Sequence, residues 1–494
     1  IPHHCILRPG SVSTKLRVVF DASATDVNGS SLNDTLLVGL KLQKNILELL
    51  LKFRTSPVVF TADVRQMYRQ ILVQEPDRVF QQIFWRSQSS EPIQEYQLNT
   101  VTYGVSSAPF LACRTIKQLT EDEGDDLPQA RRVLTPDIYI EDIVGGCSSL
   151  EQAQQMKSEV TQLFKRGQLE LRKWASNMPE LLTDLPPEYC LTDLVSLDVD
   201  NSHIPKVLGL KWEPRHSPIK VTRVFDPLGF LCPLTFFAKS LDNTPSVDIV
   251  HQCERYTKQL PLLKSFEIPR WVSVPHLKSC QLHGFSDSSE IGYGAVVYLR
   301  TTDVDGNVQI FLICAKSRVA PTKRISLPRL ELCAAVLLAD LLKFAKELYE
   351  PLFPVSNTFA WSDSTVVLAW LRSPSYHWKT FMANCVSHIQ GALQDTSWHH
   401  VLSGGNPADV ASRVQFSADL IDKTLWWAGP PWLIQPVDSW PSLDSNVNEI
   451  EPHFEERVQS LLVQQDENLV DLLLVKFSSL RKIQRILGYC HRFM

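Results

Sequence analysis

The sequence lacks the features of membrane proteins, disulfide-rich secreted proteins and zinc modules. No apolar run approaches the roughly 18 residues that a membrane-spanning helix needs. The 11 cysteines are scattered without a CxxC pair or a cysteine–histidine zinc spacing, which favours reduced thiols in the cytoplasm or nucleus. The chain begins at Ile1 without an initiator Met or a secretory leader, so we expect an internal piece of a longer protein that is not secreted.

Two further absences bear on function. The chain contains no Asp-Ser-Gly or Asp-Thr-Gly triplet, so an aspartic peptidase is the weakest of the function classes considered. It also has no excess of positive charge. The net charge of −5 is opposite to the balance expected when a protein binds nucleic acid mainly through phosphates. A nucleic-acid enzyme of this composition must concentrate its lysines and arginines in one cleft.

The length of the chain predicts several domains. Residues 1–214 mix apolar strands with helical segments, which predicts an α+β domain. Residues 215–278 are rich in proline and predict a connection region. Residues 279–414 predict an α/β domain whose long helix opens at Pro328. Residues 415–494, punctuated by proline and tryptophan, predict a C-terminal linker that ends in a basic helix.

A first set of acidic residues lies in the α+β region. Asp63 ends the apolar strand in SPVVFTAD, and Glu141 and Asp142 occupy the predicted apex of a β-hairpin in DIYIEDIVGG. Acids at a turn between buried strands repel each other, and Mg²⁺ ions of the kind used in phosphoryl transfer relieve that repulsion. Taken alone, the Glu141–Asp142 pair is as well explained by a solvated acidic turn.

A second set of acidic residues comes from four separate elements of the α/β region. Asp287 lies in a strand, Glu331 near the start of a helix, Asp363 after the next strand, and Asp409 in GGNPADVASR. Each of these acids alone is most often a solvated surface residue. Their order and spacing give the set its significance.

These motifs resemble, in order, the pol polyprotein of BEL/Pao-type LTR retrotransposons. Seven segments of this sequence resemble its reverse-transcriptase part: KLRVVFDAS, SLNDTLLVG, TADVRQMYRQI, TYGVSSAPFLA, YIED, LELRKWASN and KVLGLKW. Four further segments resemble its ribonuclease H part, namely FSDSSE, PRLELC, WSDSTVVLAWL and NPADVASR, and LWWAGPPWL resembles the stretch that follows it. The resemblance implies a reverse-transcriptase palm and fingers domain followed by a ribonuclease H-like domain.

The resemblance also implies roles for residues around the first acidic set. Arg17 is expected to contact the triphosphate of the incoming nucleotide, and Tyr68 to exclude a 2′-OH, although Tyr68 is equally explained as a core aromatic. Tyr103 and Gly104 are expected to line the nucleotide pocket. Lys173 is a candidate proton donor to pyrophosphate, and is otherwise a surface charge.

Metal ligation follows from the same resemblance. Two Mg²⁺ ions, or Mn²⁺, are expected at each site. The implied ligands are Asp63, Glu141 and Asp142 at the first site, and Asp287, Glu331, Asp363 and Asp409 at the second. The expected partners are an RNA template, a DNA primer, dNTPs and an RNA–DNA hybrid, in a cytoplasmic retroelement particle or the nucleus, with no membrane. His399 and His400 are interpreted as strand residues, not catalytic ones.

The sequence departs from the family pattern in two places. Glu141 replaces the first Asp of the aromatic-x-Asp-Asp motif, and a displaced carboxylate at that position predicts an impaired polymerase. The connection is also shorter than the family pattern. Two hypotheses therefore stand: a reverse transcriptase with ribonuclease H activity, or a decayed remnant that acts only as a nucleic-acid or protein binding module. The protease and integrase of the parent polyprotein are expected as separate segments.

Overall fold

The computed structural model describes residues 1–7, 16–134, 138–191, 206–208, 210–214, 218–220, 226–239, 247–441, 455–456, 473, 476–477 and 479–492. The predicted domain boundary between residues 214 and 215 and most of the predicted linker beyond residue 441 lie outside these ranges. None of the helices in the described ranges is both long and apolar enough to cross a lipid bilayer.

The described residues form strands and helices throughout. The strands are β1 His3–Leu7, β2 Leu16–Phe20, β3 Val58–Val64, β4 Gln82–Trp85, β5 Gln94–Gln97, β6 Ile138–Tyr139, β7 Asp142–Cys147, β8 Leu171–Ser176, β9 Lys206–Val207, β10 Leu210–Trp212, β11 Pro218–Lys220, β12 Glu267–Pro269, β13 Leu277–Ser289, β14 Gly292–Asp303, β15 Val308–Val319, β16 Val355–Ser362 and β17 Ser397–His400. The helices are α1 Leu32–Thr35, α2 Ile46–Phe53, α3 Met67–Gln70, α4 Ala108–Glu123, α5 Pro128–Leu134, α6 Leu150–Arg166, α7 Cys232–Lys239, α8 Val247–Gln259, α9 Leu327–Tyr349, α10 Thr365–Arg372, α11 Thr380–Ala392, α12 Ala408–Ser412, α13 Ser417–Ile421, α14 Thr424–Ala428 and α15 Leu480–Arg492.

The first sheet has the strand order β6-β7-β3-β8 and is antiparallel throughout. Even-numbered residues of β3 from Val58 to Val64 pack with helices α4, α5 and α6, whereas Val59 packs with α2 on the opposite face. Because side chains alternate along a strand, Asp63 lies on the α2 face. The pairs β1–β2 and β4–β5 form two small sheets in the same part of the chain, joined where the Ile1 ammonium donates to the Gln82 carbonyl (2.6 Å).

The second sheet has the strand order β15-β14-β13-β16-β17. Strands β13, β14 and β15 pair antiparallel, and β16 and β17 are added in parallel. Helix α9 connects β15 to β16 and packs on β13 and β14. It opens with Ser326 as N-cap and Pro328 in its first turn, as predicted. His399 and His400 are residues of β17, which confirms their interpretation as strand residues.

The predicted connection region packs into the second unit. Its strands β11 and β12 form a small sheet of order β12-β11-β10-β9 together with β9 and β10, which come from the end of the predicted first domain. Apolar residues of this sheet and of the connection region belong to the same buried core as the second sheet. The segment 226–230 covers the edge of β15, where the Ala315 amide donates to the Leu228 carbonyl (2.9 Å) and the Trp426 indole donates to the Phe230 carbonyl (2.9 Å). The segment thus pairs a main-chain group on an edge that would otherwise be open. The described residues thus show the mixed α/β architecture that was expected, with separate sheets in the two units.

The close approach at this edge predicts a stability loss on substitution of Gly229. Gly229 has φ +76°, and a Cβ there would overlap the Ala315 carbonyl oxygen. Gly229→Ala should lower the free energy of unfolding by more than about 2 kcal/mol, since it adds a main-chain overlap to the unfavourable φ. Urea unfolding would measure this effect.

Gly306→Ala is the matched control for that measurement. Gly306 has φ +86° with nothing within 4 Å of its Cβ position, so only the cost of a left-handed conformation, about 1 kcal/mol, should remain. Equal losses for the two variants would contradict the proposed overlap.

Candidate active sites

The first cluster, Asp63, Glu141 and Asp142, forms where two neighbouring strands meet a tight turn. Asp63 is directly opposite Asp142 in the β3–β7 register, and the Val64 amide donates to the Glu141 carbonyl (2.9 Å). The predicted hairpin is present, but its turn is formed by Ile140 and Glu141, one residue earlier than expected, and Asp142 is the first residue of β7. Cross-strand neighbours are about 5 Å apart, so the structure brings these three acids together.

The backbone around this cluster adopts uncommon conformations. Ile140 has φ +58° immediately before Glu141, and Lys173 has φ +53° on the neighbouring strand β8. A β-branched residue such as isoleucine rarely adopts positive φ, because its side chain crowds the main chain. The turn therefore contains local strain at the position that carries the two acids.

Burial and mutual repulsion disfavour the ionised form of the first cluster. Burial, followed by the charges of Asp63 and Glu141, raises the pKa of Asp142 to about 7. The pKa of Glu141 is also raised, by burial and by Asp63, against the opposing effects of Lys173 and Arg17. The Lys173 ammonium lies 3.0 Å from Asp63 Oδ2. Lys173 thus neutralises one carboxylate of the cluster in this structure.

Residues predicted to line the nucleotide pocket lie beside the same cluster. Arg17 on β2 is near enough to Glu141 to lower the pKa of that acid. Tyr68 is half-buried, and burial together with Glu141 raises its pKa to about 12. The Tyr103 hydroxyl donates to the Val18 carbonyl (2.8 Å). Gly104 has φ +94°, and a Cβ there would overlap the Phe20 carbonyl oxygen. Tyr103 and Gly104 therefore both lie against β2, the strand that carries Arg17.

The second cluster, Asp287, Glu331, Asp363 and Asp409, is assembled from four elements at one end of the second sheet. Asp287 is near the end of β13, and Asp363 directly follows the parallel strand β16. Glu331 lies in the first turns of α9, and Asp409 lies in the short helix α12. Helix α12 packs closely on β14, since a Cβ at Gly294 would overlap the Ala411 side chain.

Each carboxylate of the second cluster has a hydrogen-bonding or ionic partner. Ser412 donates to Asp287, and Ser364 donates to Glu331. Asp363 accepts from the Ser403 hydroxyl (2.8 Å) and the Asn406 amide (3.4 Å), and Arg413 pairs with Asp409 (2.6 Å). The side chains of Asn406 and Ser412 are fully buried. The acids are therefore held by a preformed polar network.

The acids of the second cluster also raise one another's pKa. Burial is the largest cause for Asp287, Glu331 and Asp409, and Asp363 raises the pKa of each of the three. Hydrogen bonds from Ser412 and Ser364, and the charge of Arg413, act in the opposite direction. Asp363 is thus the common neighbour of the set.

The donor chemistry of both clusters suits a hard divalent cation. All the side chains are carboxylates, which Mg²⁺ and Mn²⁺ prefer, and a cation between them would relieve the repulsion that raises their pKa values. In the arrangement shown, no three His, Cys, Asp or Glu side chains of the described residues converge closely enough to hold an ion. The carboxylates of the second cluster are directed instead to hydroxyl, amide and guanidinium groups.

Sequence reasoning identified the acids but missed the groups that hold them. Ser364, Asn406, Ser412 and Arg413 all lie inside the two motifs that contain Asp363 and Asp409, WSDST and NPADVASR. Small polar residues flanking a buried acid were the available signal. Lys173 was identified, but its ion pair with Asp63 was not expected.

Comparison with protein families supports the resemblance found in the motifs. Residues 215–364 match the family described as "Pao retrotransposon-like RNaseH-like domain". The match includes Asp287, Glu331 and Asp363, and it begins in the predicted connection region, which packs into the second unit. The resemblance to Pao-type pol is therefore confirmed. No curated protein matches the sequence significantly.

Among solved structures, the chain is similar to foamy viral protease-reverse transcriptases. One, in complex with double-stranded DNA, has a TM-score of 0.48 at 12% identity over 80% of this chain and 64% of that chain. A second, in complex with an RNA/DNA hybrid, has a TM-score of 0.47 at 11% identity over 81% and 50% of the two chains. A third, with double-stranded DNA, has a TM-score of 0.44 at 11% identity, covering 81% and 77%. This chain thus spans less than two thirds of the first two.

The raised pKa of Asp142 predicts a pH-dependent effect of neutralising it. In the unfolded chain an Asp has a pKa near 3.9, whereas the pKa of Asp142 in the folded chain is about 7. The stability that the fold loses by ionising Asp142 therefore grows as pH rises from about 4 and reaches its full value above about 7. In EDTA, Asp142→Asn should therefore stabilise the fold at pH 8 by roughly 2–4 kcal/mol, and by progressively less toward pH 4. Urea unfolding across this range measures the difference.

Asp305→Asn provides the control, because Asp305 is an exposed acid in a turn. Its substitution should change stability little at any pH. A gain for Asp142→Asn that stays constant or shrinks as pH rises would contradict the assignment.

Proposed function

We propose that this chain is the reverse transcriptase and ribonuclease H part of a Pao-type retroelement polyprotein. The second cluster would hydrolyse the RNA strand of an RNA–DNA hybrid, and the first would extend a DNA primer on an RNA or DNA template. The observation that carries the proposal is the second cluster itself. Four carboxylates from four elements lie together, and three of them fall within the segment that matches an RNaseH-like domain.

Divalent cations fit the proposed hydrolysis. Asp287, Glu331, Asp363 and Asp409 would hold them. When bound, such cations lower the pKa of the attacking water and stabilise the oxygen that leaves the phosphate. The residues of the chain contribute preorganisation. Ser412 and Ser364 fix the orientation of two carboxylates, and Arg413 offsets the charge of Asp409.

The protonation state of the second cluster supports a requirement for cations. Burial and the neighbouring acids raise the pKa of Asp287, so the carboxyl tends to keep a proton until a positive charge arrives. Cation binding would then release protons and become stronger as pH rises. The hybrid itself would be recognised through its backbone shape and 2′-OH groups, as is usual for double-helical RNA.

The first cluster supports DNA synthesis, but less strongly than the second cluster supports RNA hydrolysis. Asp63, Glu141 and Asp142 would hold Mg²⁺ or Mn²⁺, and Arg17 would contact the triphosphate of a dNTP. Tyr68 would lie against the sugar and exclude a 2′-OH, and Tyr103 and Gly104 would line the nucleotide pocket. Lys173 would leave Asp63 and give a proton to pyrophosphate. We place this activity in a cytoplasmic retroelement particle or the nucleus, next to protease and integrase segments.

A second candidate function applies to the first cluster alone. Glu141 stands where the family has Asp, and the Lys173 ammonium neutralises Asp63 at 3.0 Å. Both features favour a palm that binds primer and template without extending the primer. In that case the second cluster would remain the enzymatic centre of the chain.

The ribonuclease H proposal predicts the effect of one conservative substitution. Asp363→Asn removes the common neighbour of the other three acids and should reduce cleavage of an RNA–DNA hybrid in Mg²⁺ by at least about a hundredfold. Labelled RNA in the hybrid provides the measurement. Asp395→Asn, at an exposed acid of the same domain, should leave the rate unchanged. A wild-type chain that cuts no hybrid would refute the proposal.

The polymerase proposal predicts a gain on restoring the family residue. Glu141→Asp shortens the side chain by one methylene and should raise extension of an oligo(dT) primer on poly(rA) by about ten- to a hundredfold, because small misplacements of metal-bound groups are costly. Asp63→Asn in the same background should abolish extension. No gain from Glu141→Asp would favour the binding function for the first cluster.

A further inference from the structure

Two buried arginines, Arg54 and Arg270, lie where the first unit meets the second. Arg54 directly follows helix α2 of the first unit, and Arg270 directly follows strand β12. Their exposed fractions are 1% and 2%. Burial lowers the pKa of each to about 10, with Arg54 contributing to the lowering for Arg270, so both guanidinium groups stay charged near neutral pH.

Arg54 connects the first unit to the second sheet. Its guanidinium donates to the carbonyls of Leu312 (2.8 Å) and Ile313 (3.3 Å) on strand β15. Val297 of β14 pairs with Cys314 and Tyr298 with Leu312, so Ile313 is the extra residue of a β-bulge. A bulge leaves main-chain groups unpaired, and a buried unpaired carbonyl is costly. The Arg54 side chain satisfies those carbonyls.

Arg54 and Arg270 also bind each other's main chain reciprocally. Arg54 donates to the carbonyls of Pro269 (3.1 Å) and Arg270 (3.3 Å), and its own carbonyl accepts from the Val272 amide (2.9 Å). Arg270 donates in turn to carbonyls of the first unit, those of Phe53 (2.9 Å), Ser56 (2.7 Å) and Pro57 (3.1 Å). The planar fork of each guanidinium permits several such bonds at once. We call these two side chains the arginine pair.

Both ends of the arginine pair are continuous with strands that carry the acids. Ser56 and Pro57 directly precede β3, which ends near Asp63. Strand β15 pairs with β14, and β14 with β13, which carries Asp287. The surroundings are continuous as well, since buried residues of α2 and Val59 belong to the same hydrophobic core as the second sheet. A continuous path of hydrogen bonds and paired strands therefore runs from one acidic cluster to the other through the arginine pair.

We propose that Arg54 and Arg270 are positioning residues that hold the two clusters in one fixed relation. They would thereby set the distance along the hybrid between the primer end and the RNA cut. Domains of one chain usually move relative to each other unless their interface is large and well packed. The arginine pair opposes such motion by satisfying buried carbonyls on both sides of the boundary. The effect on RNA cutting rests on the proposed function, whereas the rigid coupling does not.

The test uses the full chain with Arg54→Lys and, separately, Arg270→Lys. Lysine keeps the charge and the aliphatic stem but loses the planar fork. Arg114→Lys, at an exposed arginine of α4 that contacts Gln118 (2.6 Å), is the matched control. The first measurement is calorimetric unfolding, which requires no activity. The wild type and control should unfold in one transition, and each test variant in two.

The second measurement is the position of RNA cuts in a hybrid with a recessed DNA 3′ end. For the test variants the distribution of cuts, counted from the primer end, should become about twofold broader while the total cleavage rate stays unchanged, because the domains gain freedom. A loss of stability alone would not produce this pattern.

Three outcomes would overturn the inference. They are a single transition in both variants, an unchanged cut distribution in an active enzyme, and a failure of both variants to fold, which would make the pair necessary for the domains themselves. If the wild type neither cuts nor extends, the proposed function fails, and calorimetry alone decides the coupling.

Discussion

Repulsion between buried carboxylates is the constraint on which both candidate sites depend. An ionised acid in a partly dry environment raises the pKa of its neighbours and destabilises the fold unless a positive charge or a donor compensates it. The structure compensates the two clusters differently. In the first, the ammonium of Lys173 lies against Asp63, whereas burial and the neighbouring acids raise the pKa of Asp142 to about 7. In the second, hydroxyl and amide donors hold Asp287, Glu331 and Asp363, and the Arg413 guanidinium pairs with Asp409.

This difference has chemical consequences. Neutral donors orient a carboxylate without adding a positive charge, so within the described ranges Asp287, Glu331 and Asp363 face no cationic side chain that would compete with a metal ion for the oxygens bound by these donors. An ammonium on Asp63 competes directly with a cation for the same oxygen. The longer side chain of Glu141, which follows the positive φ of Ile140, adds a second departure from the pattern that the motifs resemble. The two clusters therefore differ in how far they must rearrange to bind metal.

The sequence predicted the elements that carry their own local signal. The β-hairpin around Glu141, the strand of Asp287 and the helix opened by Pro328 follow from alternation, helical periodicity and capping. The small sheet of β9 to β12, which spans the end of the predicted first domain and the connection region, did not follow, because its strands contain only two or three residues each and β12 pairs with β11 from about 50 residues away. Partners far apart in sequence were equally invisible. Arg54 contacts carbonyls more than 200 residues away, and no local pattern encodes that contact.

The outer edge of strand β15 is contacted both by the connection region and by the first unit. Segment 226–230 bonds to its outer edge at Ala315, and Arg54 binds the bulge that immediately precedes this position. In a regular strand successive carbonyls point to opposite edges, so the bulge is what lets the consecutive carbonyls of Leu312 and Ile313 both accept from Arg54. The bulge is therefore the feature that allows an arginine of the first unit to bond within the second. For this reason the connection region, although short, belongs structurally with the second unit, and the two acidic clusters are parts of one packed body.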